Sequence, residues 1–192
     1  ALENDYFIAG LTGPSYMYPK PIPADAFPIL MTEAKRQMDI LDLRVMEIMD
    51  YSEGNRHVGN TDLTKEVGDR YYENFPEVIG FINGYGSART FDLRDDRPLI
   101  SYDYYLGLRR PEKEAIADLE ELISLNQKRP YFMLVHVRES KSIEKTVDII
   151  EGVSEPIEVV SLDVFLKMAA SAKTYRTRYQ QRDDPIVRNP YP

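Results

Sequence analysis

The sequence predicts an α/β fold: a mostly parallel sheet with alternating helices, expected to form an incomplete or distorted β/α barrel. Three observations carry this expectation. Apolar runs of strand length recur at residues 6–11, 43–49, 78–82, 99–102, 131–137 and 157–160. Segments with apolar residues at helical spacing separate most of these runs. Connections of that length cross back over a sheet and return parallel to the strand they left. The runs number about six, against roughly eight in a closed barrel, so the barrel is expected to be incomplete.

Local chemistry defines each element in turn. The first run, Tyr6-Phe7-Ile8-Ala9-Gly10-Leu11, stops in a Gly/Pro/Tyr-rich loop that continues to Pro23. A helix begins near Asp25, with Phe27, Leu30, Met31, Ala34, Met38 and Leu41 on one stripe. Pro28 sits in its first turn, where a missing N–H is tolerated. The run at 43–49 is short and ends at Asp50-Tyr51-Ser52-Glu53-Gly54, which marks it as a strand. Thr61 or Asp62 is the expected cap of a second helix ending near Pro76. Residues 78–82 read as a buried strand before the loop Asn83-Gly84-Tyr85-Gly86-Ser87, and 99–102 as another strand. Pro111 opens a helix with a core stripe of Ile116, Leu119, Leu122 and Ile123. The strongest strand, 131–137, precedes a helix carrying Ile143, Val147 and Ile150. Strand 157–160 leads through a Ser161 cap into a last helix carrying Val164, Phe165, Met168 and Ala169. Residues 1–172 are thus expected to form one α/β domain, and 173–192 a C-terminal arm or linker.

Composition narrows the function classes. A 43% hydrophobic and 29% charged chain of 192 residues is an ordinary globular protein. No apolar run approaches the roughly 20 residues of a membrane-spanning helix, so no membrane partner is expected. A net charge of -8 argues against nucleic acid, whose binders display a basic face. The absence of cysteine excludes disulfides, a thiolate nucleophile and cysteine-ligated metal. With two histidines and no His-x-x-x-His pair, neither a metal site nor another cofactor is expected. Neither Ser15 nor Ser87 lies in a Gly-x-Ser-x-Gly elbow, so esterase chemistry is unsupported.

In parallel α/β folds, functional side chains gather in the loops that follow the strands. The loop after the first run, Gly10-Leu11-Thr12-Gly13-Pro14-Ser15-Tyr16-Met17-Tyr18-Pro19, is the most unusual segment of the chain. It is a poor phosphate cradle: Pro14 removes an N–H donor, and Tyr16, Tyr18 and Pro19 crowd the turn. Two tyrosines offer instead apolar faces with polar tips, which suit a sugar. A rigid turn plugging the end of the barrel is the alternative. Asn83 and Tyr85, in a Gly-flanked loop after a strand, are placed either for sugar hydroxyls or for a plain turn. His136 shares a strand face with Phe132 and Leu134, as a core or a site histidine.

The segment Gly13-Pro14-Ser15-Tyr16-Met17-Tyr18-Pro19 resembles the motif that names the GxGYxYP family, whose members are described as glycoside hydrolases. Gly13, Tyr16, Tyr18 and Pro19 match, and Ser15 stands in the place of the second glycine. The similarity continues in order through residues 83–86, 97–100, 132–137 and 158–165, which are less specific. Family domains are longer on the N-terminal side, so the resemblance implies the C-terminal part of such a domain. It implies a carbohydrate partner, an oligo- or polysaccharide, and a secreted or periplasmic location. An incomplete barrel exposes a sheet edge, so pairing with a missing N-terminal half or with a second copy is expected.

Glycoside hydrolysis uses two carboxyl groups flanking the scissile bond. Asp50, closing the second strand, and Glu139, just beyond the strand carrying His136, are the acids at strand ends; Glu53 and Asp103 are weaker placements. The resulting candidate set is Asp50, Glu139 and His136 for catalysis, with Tyr16, Tyr18, Ser15, Asn83 and Tyr85 for substrate. Two other readings stand beside it. One is a non-catalytic carbohydrate-binding or structural domain, and the other a metal-dependent polysaccharide deacetylase.

Overall fold

In a computed structural model, which describes residues 6–55, 58–59, 61–138, 141–181 and 187–188, the apolar runs form mixed, open sheets. The elements are β1 (Val45–Ile48), β2 (Gly54–Asn55), β3 (Val58–Gly59), β4 (Gly80–Asn83), β5 (Phe91–Arg94), β6 (Arg97–Ser101), β7 (Tyr104–Leu106), β8 (Val135–Val137) and β9 (Val187–Arg188). The helices are α1 (Phe27–Leu41), α2 (Lys65–Asn74), α3 (Glu112–Leu125), α4 (Ile143–Gly152) and α5 (Leu162–Ala172). The main sheet has the order β1-β4-β6-β5. Its first three strands are parallel, and β5 pairs antiparallel with β6. The sequence reading missed β5 because its hairpin turn carries Asp95-Asp96 rather than glycine. Both residues take positive φ (49° and 58°), the geometry a two-residue hairpin needs and one that Asp tolerates. No sheet closes into a barrel among the described residues.

Beyond β1, the first apolar run contributes a single parallel bridge, Ala9 to Met46, not a full strand. A separate parallel pair, β7 and β8, joins the main sheet where the Asp103 N–H donates to the Leu134 carbonyl at 2.9 Å. A small antiparallel sheet of β2, β3 and β9 completes the described strands.

Strand alternation sorts the core into layers. Met46, Ile48, Phe81 and Leu99 face α1 and α2, packing with Phe27, Met31, Tyr71 and Phe75. Tyr71 is the hub of that layer, its ring 5.1 Å from Phe27 and 6.1 Å from both Phe75 and Phe81. Val45, Ile82, Ile100 and Tyr102 face the other way, onto Phe132 and the α5 residues Phe165, Leu166 and Ala169. A third cluster fills the space between β7 and the helices α3 and α4.

Several expected elements shift. The second helix is capped by Thr64, whose hydroxyl accepts the Val67 N–H, not by Thr61 or Asp62. Asp62 is instead buried and bonded to Arg89. Only residues 135–137 of the strongest expected strand enter a ladder, and 157–160 enters none. On α4 the buried residue is Ile149, whereas Ile143 is 79% exposed. The α5 stripe is rotated from the expected one: Leu166 and Ala170 turn inward with Phe165 and Ala169, while Val164 and Met168 face out. Adjacent apolar columns at helical spacing are equivalent in sequence, and the neighbouring layer selects between them. Residues 175–180, assigned from sequence to an arm, lie against the sheet. Tyr175 stacks on Phe91 at 4.7 Å, and Arg178 exchanges two backbone hydrogen bonds with it.

Candidate functional site

The parallel strands β1, β4, β6 and β8 deliver their carboxyl ends to Asp50-Tyr51, Gly84-Tyr85, Tyr102-Asp103 and Arg138. Gly84 has a φ of +95°, and a Cβ there would meet the Gly86 carbonyl oxygen at 2.6 Å. Only glycine makes that turn without strain, and it places Tyr85 over the strand end. The Tyr85 ring lies 4.5 Å from the His136 ring, edge-on, and 5.2 Å from Tyr105. Tyr102 and Tyr105 each lie 5.2 Å from His136. Arg138 closes the group. Its guanidinium donates to the Tyr85 hydroxyl and, at 3.1 Å, to that of Tyr105. It also lies 5.9 Å from the centre of the Tyr85 ring. Tyr105 is buried, so Tyr85, His136 and Arg138 are the half-buried members that can meet a ligand.

A second aromatic group sits on the loop from Gly13 to Pro19. Tyr16 is 62% exposed, and its ring meets that of Tyr18 edge-on at 5.8 Å, with exposed Ser15 beside it. Tyr51 senses both groups. Burial pushes its phenol pKa up, a Gly86 backbone hydrogen bond opposes that, and Tyr105 and Tyr18 add to the rise. The strand ends therefore carry an array of phenol rings, an imidazole and a guanidinium: flat apolar faces edged with donors and acceptors.

The carboxylates are placed differently from one another. Asp50 is fully buried: Oδ2 accepts the Lys20 N–H at 2.7 Å, and Oδ1 accepts the Ser52 N–H and hydroxyl at 2.8 and 2.5 Å. Glu53 accepts from the Lys20 ammonium at 3.1 Å and the Gln180 amide at 2.6 Å. Asp103 accepts the Leu134 N–H at 2.9 Å and the Tyr131 hydroxyl at 3.1 Å, and burial pushes its pKa up to about 6. Glu139 lies outside the described residues. Glu47, mid-strand on β1, is buried on the face shared with Val45; burial raises its pKa, against the Tyr102 hydroxyl that donates to it. Asn83 faces the α1–α2 layer and is fully buried, its amide donating to the Thr61 carbonyl and the Ser101 hydroxyl. Among the described residues, no three His, Asp or Glu side chains converge as a metal-binding group.

Of the residues singled out in the sequence, Tyr85 meets His136 and Tyr16 meets Tyr18, Asp50 lies beneath the Tyr16 loop, and Asn83 points away. Sequence reasoning missed Tyr51, Tyr105, Arg138 and Glu47. Arg138 follows β8 directly and Tyr51 lies three residues past β1, so a search of the loop after every strand finds both. Tyr105 belongs to β7, a three-residue strand too short to stand out by pattern. Glu47 is a carboxylate in an otherwise apolar strand, a signal read only for its apolar neighbours.

No curated protein and no solved structure matches the chain significantly. A family model does, over residues 1–170: the one described as GxGYxYP putative glycoside hydrolase C-terminal domain. With the Gly13–Pro19 motif in its loop and most of its length matched, this chain belongs to the GxGYxYP C-terminal domain family.

Proposed function

We propose that this chain forms the carbohydrate-binding wall of a glycoside hydrolase, engaging an oligosaccharide along Tyr16, Tyr18, Tyr51, Tyr85, His136 and Arg138. The observation that carries this reading is the array of rings at the strand ends, edged by a guanidinium. A pyranose ring presents C–H groups on its face and hydroxyls on its rim. Phenol faces cover the former, while phenol, imidazole and guanidinium groups bond the latter. Exposed Tyr16 is the stacking surface, and the Tyr85–His136–Arg138 group recognises hydroxyls.

For catalysis by the two-carboxyl route, Glu139 is the acid to test first, because it follows Arg138 directly in sequence. Asp50 has both oxygens engaged, which favours a supporting part over that of an acid open to substrate. This supports the binding reading, with hydrolysis completed by carboxyl groups elsewhere in the enzyme. The test is calorimetric titration with cellohexaose, maltohexaose and chitohexaose. At least one should bind with a Kd below about 1 mM, and Tyr16→Ala should weaken it by about five- to tenfold with Tm almost unchanged. Absence of binding to all three, by a folded wild-type chain, overturns the reading.

A further inference from the structure

Thr12 is β-branched, yet its φ is 81°, in the left-handed region that such residues rarely adopt. It is fully buried, and every polar group it has is engaged. Its N–H donates to the Glu47 carbonyl at 2.7 Å. Its hydroxyl lies 3.1 Å from both the carbonyl and the N–H of Met49, donating to one and accepting from the other. Its carbonyl accepts the Tyr71 hydroxyl at 2.5 Å. The next residue along β1's exit, Asp50, holds the far end of the same loop through the Lys20 N–H at 2.7 Å. Both ends of the segment that carries Tyr16 and Tyr18 are thus tied to the consecutive residues Met49 and Asp50.

A core turn alone does not call for this residue. Glycine would take a φ of 81° without strain but would leave both Met49 groups without the Thr12 hydroxyl. Valine would fill the space and lose the same two bonds while keeping the strain. Backbone strain that persists under several fixed contacts is found where geometry has to be held for a ligand. Here the segment so held carries exposed Tyr16 and half-buried Tyr18. A loop fixed before binding loses less freedom on binding, and the difference appears as affinity.

We propose that Thr12 and Asp50 are positioning residues, a two-ended clamp by which the exit of β1 presets the Tyr16–Tyr18 platform for a sugar ring. This rests on the carbohydrate reading above. Asp50 then serves the site through the Lys20 backbone rather than by proton transfer.

The test combines amide hydrogen exchange of residues 13–19 with titration of the three hexasaccharides, on wild type, Thr12→Ser, Thr12→Val and Asp50→Asn. Thr12→Ser keeps the hydroxyl and should match wild type within about twofold. Thr12→Val and Asp50→Asn should speed exchange in the loop by about tenfold or more and weaken binding by about five- to tenfold. Asp50→Asn stands in if Thr12→Val fails to fold. In a Tyr16→Ala, Tyr18→Ala background, neither substitution should cost further affinity, because the platform it positions is gone. Unchanged affinity with faster exchange, or an equal loss in the platform-free background, overturns the positioning role. If wild type binds none of the three sugars, the carbohydrate reading fails by itself. Faster exchange at 13–19 in the variants then still supports the clamp, and unchanged exchange overturns it.

Discussion

The Tyr102 hydroxyl donates to Glu47 at 2.8 Å, reaching past β4 to a carboxyl group in the middle of β1. Both side chains are buried, and burial outweighs the Tyr102 bond in setting the Glu47 pKa, which is raised. A carboxyl group whose pKa is higher folded than unfolded contributes stability below its unfolded pKa. That contribution is lost as pH rises through the folded value. Glu47→Gln keeps an acceptor for Tyr102 and removes the ionisation. Its Tm should gain on that of wild type as pH rises from about 4 to 7, by roughly 2–4 °C at the upper end. Thermal unfolding across that range checks it, and a constant difference at all pH values would refute it.

Asp103 obeys the same sign with a narrower window. Its pKa is pushed up to about 6 by burial, with the Leu134 N–H and the Tyr131 hydroxyl pulling it back. Wild-type stability should therefore decline, through this group, as pH rises from about 4 through 6. Asp103→Asn should flatten that decline and be at least as stable as wild type above pH 7. Tyr131→Phe removes a bond to the ionised form and should move the Asp103 titration upward, as read from its side-chain carbon shift by NMR.

Gly84→Ala tests the turn that aims Tyr85. The added methyl carbon would lie 2.6 Å from the Gly86 carbonyl oxygen, at a φ of +95°. The expected cost is about 1–3 kcal/mol in chemical denaturation, because both the strain and the clash are backbone effects. Hexasaccharide affinity should fall with it. A variant as stable as wild type would mean that the loop accommodates a side chain, and that Tyr85 is not held by the turn.

Arg138→Ala separates recognition from folding. The guanidinium is half-buried and bonded to two phenol hydroxyls, so its loss should cost at most about 1 kcal/mol of stability. If the proposed carbohydrate site holds, oligosaccharide affinity should fall by about tenfold, since the charged donor assigned to sugar hydroxyls is removed. Arg138→Lys should recover little of it, because an ammonium lacks the planar fork that reaches Tyr85 and Tyr105 together.

Tyr71→Phe probes the underside of the loop. It leaves the aromatic packing against Phe27, Phe75 and Phe81 in place and removes the hydrogen bond to the Thr12 carbonyl. A loss of about 1–2 kcal/mol is expected in urea unfolding. The same variant should show faster exchange at Gly13 and Ser15, the non-proline amides nearest Thr12 on its C-terminal side.

By itself the sequence determined the parallel strands β1, β4 and β6, the helices α1 and α3, and the Gly13–Pro19 motif that gives the family. Each rests on local information: periodicity, caps, and residue types at fixed offsets. Tertiary structure alone decided which layer each side chain joined. Asn83 and Tyr85 are two residues apart, yet Asn83 is the last residue of β4, sealed between Thr61 and Ser101, while Tyr85 stands over the strand end beside His136. The sharp turn at Gly84 separates them, and glycine in a sequence marks a turn without giving its direction. The meeting of Tyr85 with Arg138, and of Thr12 with Met49, joins residues 53 and 37 positions apart. No local pattern encodes such pairs, because they depend on strand order, and strand order is set by how the apolar faces of all the elements are buried together.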